Sequence, residues 1–306
     1  MLLSIHEKFS NLKLFKFFFS FISLSLSGLL FCSCAKNSNG QGTTASHNAI
    51  QIKGSDTMVN LGQAWAEEFM HQFPDSYVAV TGGGSGTGIA ALIAGTCDIA
   101  ESSRKMKEKE FKEARENEVE PVEFQVALDG LAVVVNPQNP VNQLTIDQLA
   151  DIFVGKIRNW KEVGGEDRPI VLLSREVNSG THVYFKEKVL RHGDEKRKEE
   201  FEEGALLMPS SQAIADEIAQ NPNAIGYYGM GYSNPTQKPL AIAKDKDSPY
   251  FVTSIENVMK GNYYISRPLL MYTNGQPKEI VKKFLDFVLS PEGQKVVRAV
   301  DFVPVK

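Results

Sequence analysis

The chain has 306 residues, 42% hydrophobic and 23% charged, enough to form one large or two medium lobes with their own cores, which excludes disorder as its default state. A formal net charge of −4 offers no basic footprint for nucleic acid, so any anion must be held by local donors against the overall field.

The first 33 residues differ from the rest. Lys8, Lys13 and Lys16 precede an apolar run over residues 17–31 that ends in FCSC. The run is about 15 residues, shorter than the roughly 20 that a membrane-spanning helix requires, and the three-part pattern is that of an export signal. A lipid-modified cysteine follows a small residue: Cys34 follows Ser33, whereas Cys32 follows Phe31. The pattern resembles the bacterial lipoprotein signal, which implies removal of residues 1–33, lipidation of Cys34 and an exported chain anchored to the cell membrane, facing the periplasm or the exterior. Cys97 is then the remaining thiol, which leaves no intrachain disulfide, and its apolar surroundings place it in a core strand. Residues 34–48, rich in Ser, Asn, Gly and Thr, read as a flexible tether.

From residue 49 strands and helices alternate: the strand AIQIK, a helix over about 59–73, the strand YVAVT, a helix over about 87–94 and the strand CDIAE. The first helix carries Leu61, Ala64, Trp65, Phe69 and Phe73 at helical spacing and stops at Pro74. FQVALDGLAVVVNP, residues 124–137, is long for one strand and has Gly130 at its middle, where a connection between lobes would bend. A second set follows: a helix around 145–154, the strand PIVLLS, and helices over about 181–190 and 211–219. The mixed-charge stretch 191–204 reads as a solvated helix face and turn. The strand YYISRPLLMYT and the helix EIVKKFLDFVL, closed by SPEG, carry the chain back to its first lobe. Such alternation predicts an α/β fold with a mostly parallel sheet flanked by helices.

Three loops share one design, in which a strand ends, glycines and hydroxyl residues follow, and a helix begins. They are GSDTM (54–58), TGGGSGTG (81–88) and REVNSGT (175–181). Helix starts present unpaired N–H groups, glycine permits close backbone approach, and Ser or Thr adds donors, so three such mouths could surround a tetrahedral oxyanion. Each alone has an ordinary reading. Ser55, Asp56 or Thr57 also serves as a helix N-cap, and Arg175 also suits a surface ion pair. Ser102, Ser103 and Arg104, in ESSR, either donate from the floor of the same cleft or start a loop. Arginine suits the task because its planar fork donates two parallel bonds to an oxyanion.

TGGGSGTG lacks the GK[ST] ending of a nucleotide-binding loop, and Ser85 lies in GGSGT rather than a G-x-S-x-G elbow. RHG at 191–193 is followed by Glu195, where a phosphohistidine enzyme has an arginine. Histidines 6, 47, 71, 182 and 192 show no metal-ligand spacing, so neither catalytic residues, a metal nor another cofactor are expected.

The pairing of TGGGSGTGI with R-x-x-x-S-G-T resembles the phosphate-binding receptors of bacterial phosphate import systems, across nearly all of residues 49–306. The resemblance implies a type II periplasmic-binding-protein fold with mixed sheets flanked by helices. Lobe one would take 49–131 and 262–306, lobe two 132–261, and the ligand the cleft between them. It implies a monomer, anchored to the membrane by its N-terminal lipid, that binds inorganic phosphate and hands it to the permease subunits of an ABC importer. Carried over by motif, the site comprises Ser55, Asp56, Thr57, the backbone at Met58, Ser85, Ser103, Arg104, Arg175, Ser179, Gly180 and Thr181. Ser103 stands where some members place an aspartate that accepts the P–OH hydrogen, and Asp56 is the available replacement for it. A receptor for sulfate or molybdate, and a surface adhesin or signalling lipoprotein, are the alternatives.

Overall fold

A computed structural model describes residues 48–305. The signal segment, Cys34 and residues 34–47 of the tether lie outside the described residues. The first set of elements is β1 (Ala49–Gly54), α1 (Val59–Gln72), β2 (Tyr77–Thr81), α2 (Ser85–Ile93), β3 (Ile99–Ser102), α3 (Glu108–Glu116) and β4 (Pro121–Val135). The second is β5 (Gln143–Thr145), α4 (Ile146–Phe153), β6 (Val171–Arg175), α5 (Gly180–Phe185), β7 (Leu206–Met208), α6 (Ser211–Gln220), β8 (Ala224–Gly229), β9 (Lys238–Pro239), β10 (Ala241–Ala243) and α7 (Ile255–Met259). The chain closes with β11 (Ser266–Asn274), α8 (Glu279–Val288) and α9 (Pro291–Ala299).

The main sheet runs β2-β1-β3-β11-β4-β8-β6-β7, with β9 also on β4. Its outer strands are parallel, as expected: β1 with β2 and β3, and β6 with β7 and β8. Its centre is not. β11 is antiparallel to both β3 and β4, and β4 is antiparallel to β8, so the sheet is mixed. The reason is connectivity: β11 enters from the far end of the chain, and no strand-helix-strand crossover aligns it with its neighbours. β4 pairs with β11 as far as Gly130 and with β8 from Leu131 onward, so the partner changes at the glycine singled out above. A Cβ on Gly130 would lie 2.8 Å from both Thr253 and Val258 side chains, which makes packing the requirement there.

α1 buries Leu61, Trp65, Ala66 and Phe69. Phe69 meets Phe284 of α8 edge-on at 5.2 Å, and Trp65 Nε1 donates to the Gly293 carbonyl at 2.8 Å, so the C-terminal helices seal the first set of elements. Two local expectations need correction and one helix was not expected. α8 ends just before SPEG, as expected, but SPEG also begins a further helix, α9, which Ser290 caps and Pro291 opens, because proline fits a first turn whose N–H groups are unpaired anyway. Residues 191–204 form turns and irregular chain, not a helix, held by ion pairs such as Arg197 with Glu199 at 2.6 Å. Cys97 is buried but precedes its strand, and burial pushes its thiol up to about 11, which leaves it unreactive.

Candidate functional site

β1 ends at Gly54, whose φ of +147° and contact with the Glu101 backbone both exclude a side chain. Ser55 N then donates to the Glu101 carbonyl at 2.9 Å, and Asp56–Met58 forms a 3₁₀ turn into α1. In the second loop Gly84, at φ +94°, donates to the Gly54 carbonyl at 2.8 Å and sets Ser85 at the start of α2. In the third, Ser179 caps α5 by accepting from Thr181 N at 3.2 Å. These loops meet directly: Gly86 N donates to the Asn178 carbonyl at 3.0 Å, and Asn178 Nδ2 donates to the Gly83 carbonyl at 2.8 Å.

The expected hydroxyls converge and are buried. Ser55 Oγ donates to Ser103 Oγ at 2.9 Å, Ser103 N donates to Ser85 Oγ at 3.0 Å, and Thr57 Oγ1 lies 2.8 Å from Thr181 Oγ1. Gly180 packs on this group so closely that a Cβ there would overlap Ser85 Oγ and lie 2.7 Å from Ser103 Oγ. Glycine is required at 180 by the approach of the loops, not by backbone conformation.

The other expected residues are placed differently. Arg104 grips Glu110 with both terminal nitrogens at 2.8 and 2.7 Å, while its buried Nε has no hydrogen-bond partner among the described residues. Met58 N closes the first turn on the Ser55 carbonyl. Asp56 is neither a cap for its own helix nor an open acceptor: Oδ1 accepts from Gly83 N at 2.9 Å and Oδ2 from Arg175 Nη2 at 2.6 Å. Arg175 itself is 1% exposed and also donates to the carbonyls of Met208 and Pro209 and to Ser211 Oγ. The ion pair thus joins the first loop to the third.

Two functional candidates escaped sequence reasoning. Arg267 of β11 and Asp129 of β4 form a fully buried ion pair at 2.8 Å, and Arg267 Nη2 reaches Thr181 Oγ1 at 2.9 Å and Thr57 Oγ1 at 3.3 Å. Burial pushes the Asp129 carboxyl up and the Arg267 guanidinium down, while their mutual attraction opposes both. The available signal was Arg267, the one charge in β11, and Asp129 in the apolar middle of β4, since an interior charge requires a partner. Among the described residues no group of three or more His, Cys, Asp or Glu could hold a metal ion, and no helix is long and apolar enough to cross a membrane. A surface cavity of about 420 Å³ lies elsewhere, beside Tyr184, Lys188 and Arg191.

A mixed sheet with helices on its faces, and helix-start loops converging on buried hydroxyls and guanidinia, define a solute-binding protein of the type II class. Residues 38–292 match the family model described as the PBP superfamily domain. The chain is 33% identical over 269 residues to the phosphate-binding protein PstS of Pseudomonas aeruginosa, covering 82% of this chain and 81% of that one. It is 35% identical over 272 residues to PstS of Bacillus subtilis, covering 89% and 85%. Its fold matches a putative phosphate ABC transporter substrate-binding protein with bound phosphate from Clostridium perfringens, at a TM-score of 0.76 and 34% identity, over 85% of this chain and 100% of that one. The chain belongs to the PstS family of phosphate-binding proteins, a family of transport receptors rather than of enzymes.

Proposed function

We propose that this chain binds inorganic phosphate in a cleft between two lobes, without catalysis, and delivers it to the permease of an ABC importer. The observation that carries the reading is the buried convergence of Ser55, Thr57, Ser85, Ser103 and Thr181 around Gly180, with Arg175 and Ser179 on the third loop. Hydroxyl groups suit a ligand that is both acceptor and donor, because each rotates to give or take a hydrogen. The lobes are assigned to 49–131 with 262–306, and to 132–261; the change of β4 partner after Gly130 and the start of β11 at Ser266 support these crossings. Calorimetric titration of the purified chain should give a saturable phosphate isotherm and weaker binding of sulfate. No heat with phosphate, or tighter binding of sulfate or molybdate, would remove this reading.

The N-terminal pattern supports an exported lipoprotein whose residues 1–33 are removed and whose Cys34 carries the lipid, with the tether setting the receptor off the membrane surface. Mass spectrometry of the membrane fraction should find a mature chain beginning at acylated Cys34. Recovery of an intact Met1 terminus would refute that processing.

A further inference from the structure

We infer that Arg267 is a second cationic residue of the anion site, its Nη1 donating to the bound anion while its Nη2 orients the two threonine hydroxyls. This rests on the phosphate reading above.

Of the five N–H donors of a guanidinium, Arg175 spends at least four within the protein: Nε on Met208, one Nη1 hydrogen on Ser211, and Nη2 on Asp56 and Pro209. Arg267 is committed differently. Its Nε and Nη2 hold Asp129 Oδ2 at 3.0 and 2.8 Å, and Nη2 also serves Thr57 and Thr181. Its Nη1 has no hydrogen-bond partner among the described residues, although the side chain is fully buried. Buried donors are almost always paired, so one that is not, beside the converging loops, points to a ligand.

The threonines strengthen the assignment. One Nη2 hydrogen goes to Asp129 and the threonine oxygens share the other; because a guanidinium only donates, both hydroxyl hydrogens are left to give. The contact between Thr57 and Thr181 uses one of them. The other is free for an anion. Asp129 holds the guanidinium in place from behind, with Oδ1 fixed by Met230 N at 3.0 Å. Aspartate at 129 is therefore a positioning residue, and Arg267 the one that touches the ligand.

The test is phosphate titration of the full chain in detergent, alongside thermal unfolding. Arg267→Lys keeps a positive charge against Asp129 but not the fork, and should weaken phosphate binding roughly tenfold to a hundredfold with the fold intact. Arg267→Gln combined with Asp129→Asn removes both charges together, so that no lone charge stays buried, and should lose about a hundredfold or more. A folded variant of either kind that binds within about threefold of the unaltered protein overturns the assignment while the phosphate reading stands. An unaltered protein that gives no phosphate heat overturns both. Should neither variant fold, the guanidinium nitrogen-proton signals of Arg267 in the unaltered protein decide: they should shift when phosphate is added, and unmoved signals overturn the inference.

Discussion

Arg175→Ala should weaken phosphate binding by several kcal/mol and, in the same protein, lower the unfolding midpoint of the unliganded form. Hydrogen bonds to charged groups are worth about 1.5 to 3 kcal/mol each, and the guanidinium has a donor left for an anion beyond those it spends on the protein. The stability effect follows from the pairing. Removing Arg175 strips Asp56 Oδ2 of its partner at 2.6 Å and leaves the Met208 and Pro209 carbonyls and Ser211 without their donors. Breaking a buried pair from one side costs about 3 to 5 kcal/mol. The Asp56 side chain is 16% exposed and keeps the Gly83 amide, so the lower end of that range applies. The unpaired carboxylate would also repel an approaching anion, which adds to the loss of affinity. An arginine that served only the ligand would leave the unliganded protein little affected; the ion pair across the loops makes it structural as well. Titration together with a thermal melt separates the outcomes, and an affinity within about threefold of the unaltered chain would refute the role of Arg175.

Glu101→Met should stabilise the protein at neutral pH and flatten the dependence of stability on pH. Glu101 is fully buried at the end of β3, its carboxyl faces Gly62 and Val80, and neither of its oxygens has a hydrogen-bond partner among the described residues. Burial pushes this carboxyl well above its ordinary 4.5, so the folded protein holds a proton that the unfolded chain releases. The sign follows directly. Above the unfolded value the native state binds more protons than the unfolded one, so stability is fully present below it and declines as pH rises toward the raised native value. The slope reaches about 1.4 kcal/mol per pH unit for one fully coupled group. Methionine removes both the titration and the unpaired polar atoms, a gain of about 1 to 3 kcal/mol. Denaturant unfolding between pH 4 and 8, a window chosen around the ordinary carboxylate value, measures both effects. A Met variant that is less stable at neutral pH, with the slope unchanged, would show that the carboxyl is ionised or otherwise compensated.

The loops were legible because their chemistry is local. A glycine that must take positive φ, a hydroxyl at a helix start and a proline after a helical run each act within a few residues. GSDTM, TGGGSGTG and the SGT of the third loop are therefore found where they were expected, at strand-to-helix turns. The same locality hid α9 at SPEG, where serine and proline fit the end of one helix and also the start of the next. It misled in 191–204, where a run of alternating charges has no apolar face to hold a helix against the protein.

Sequence by itself determined the α/β class, the long β4 with its glycine, the loops able to receive an oxyanion and the family to which the chain belongs. Tertiary structure alone decided which charges meet. Arg175 and Asp56 are 119 positions apart, and Arg267 and Asp129 are 138 apart. Neither pairing follows from spacing, because each depends on which strands and loops become neighbours, and β11 joins β4 only when the end of the chain has been folded back between β3 and β4. Once there, a lone arginine in one apolar strand and a lone aspartate in the other have no lower-energy arrangement than facing each other, since neither charge could remain buried alone.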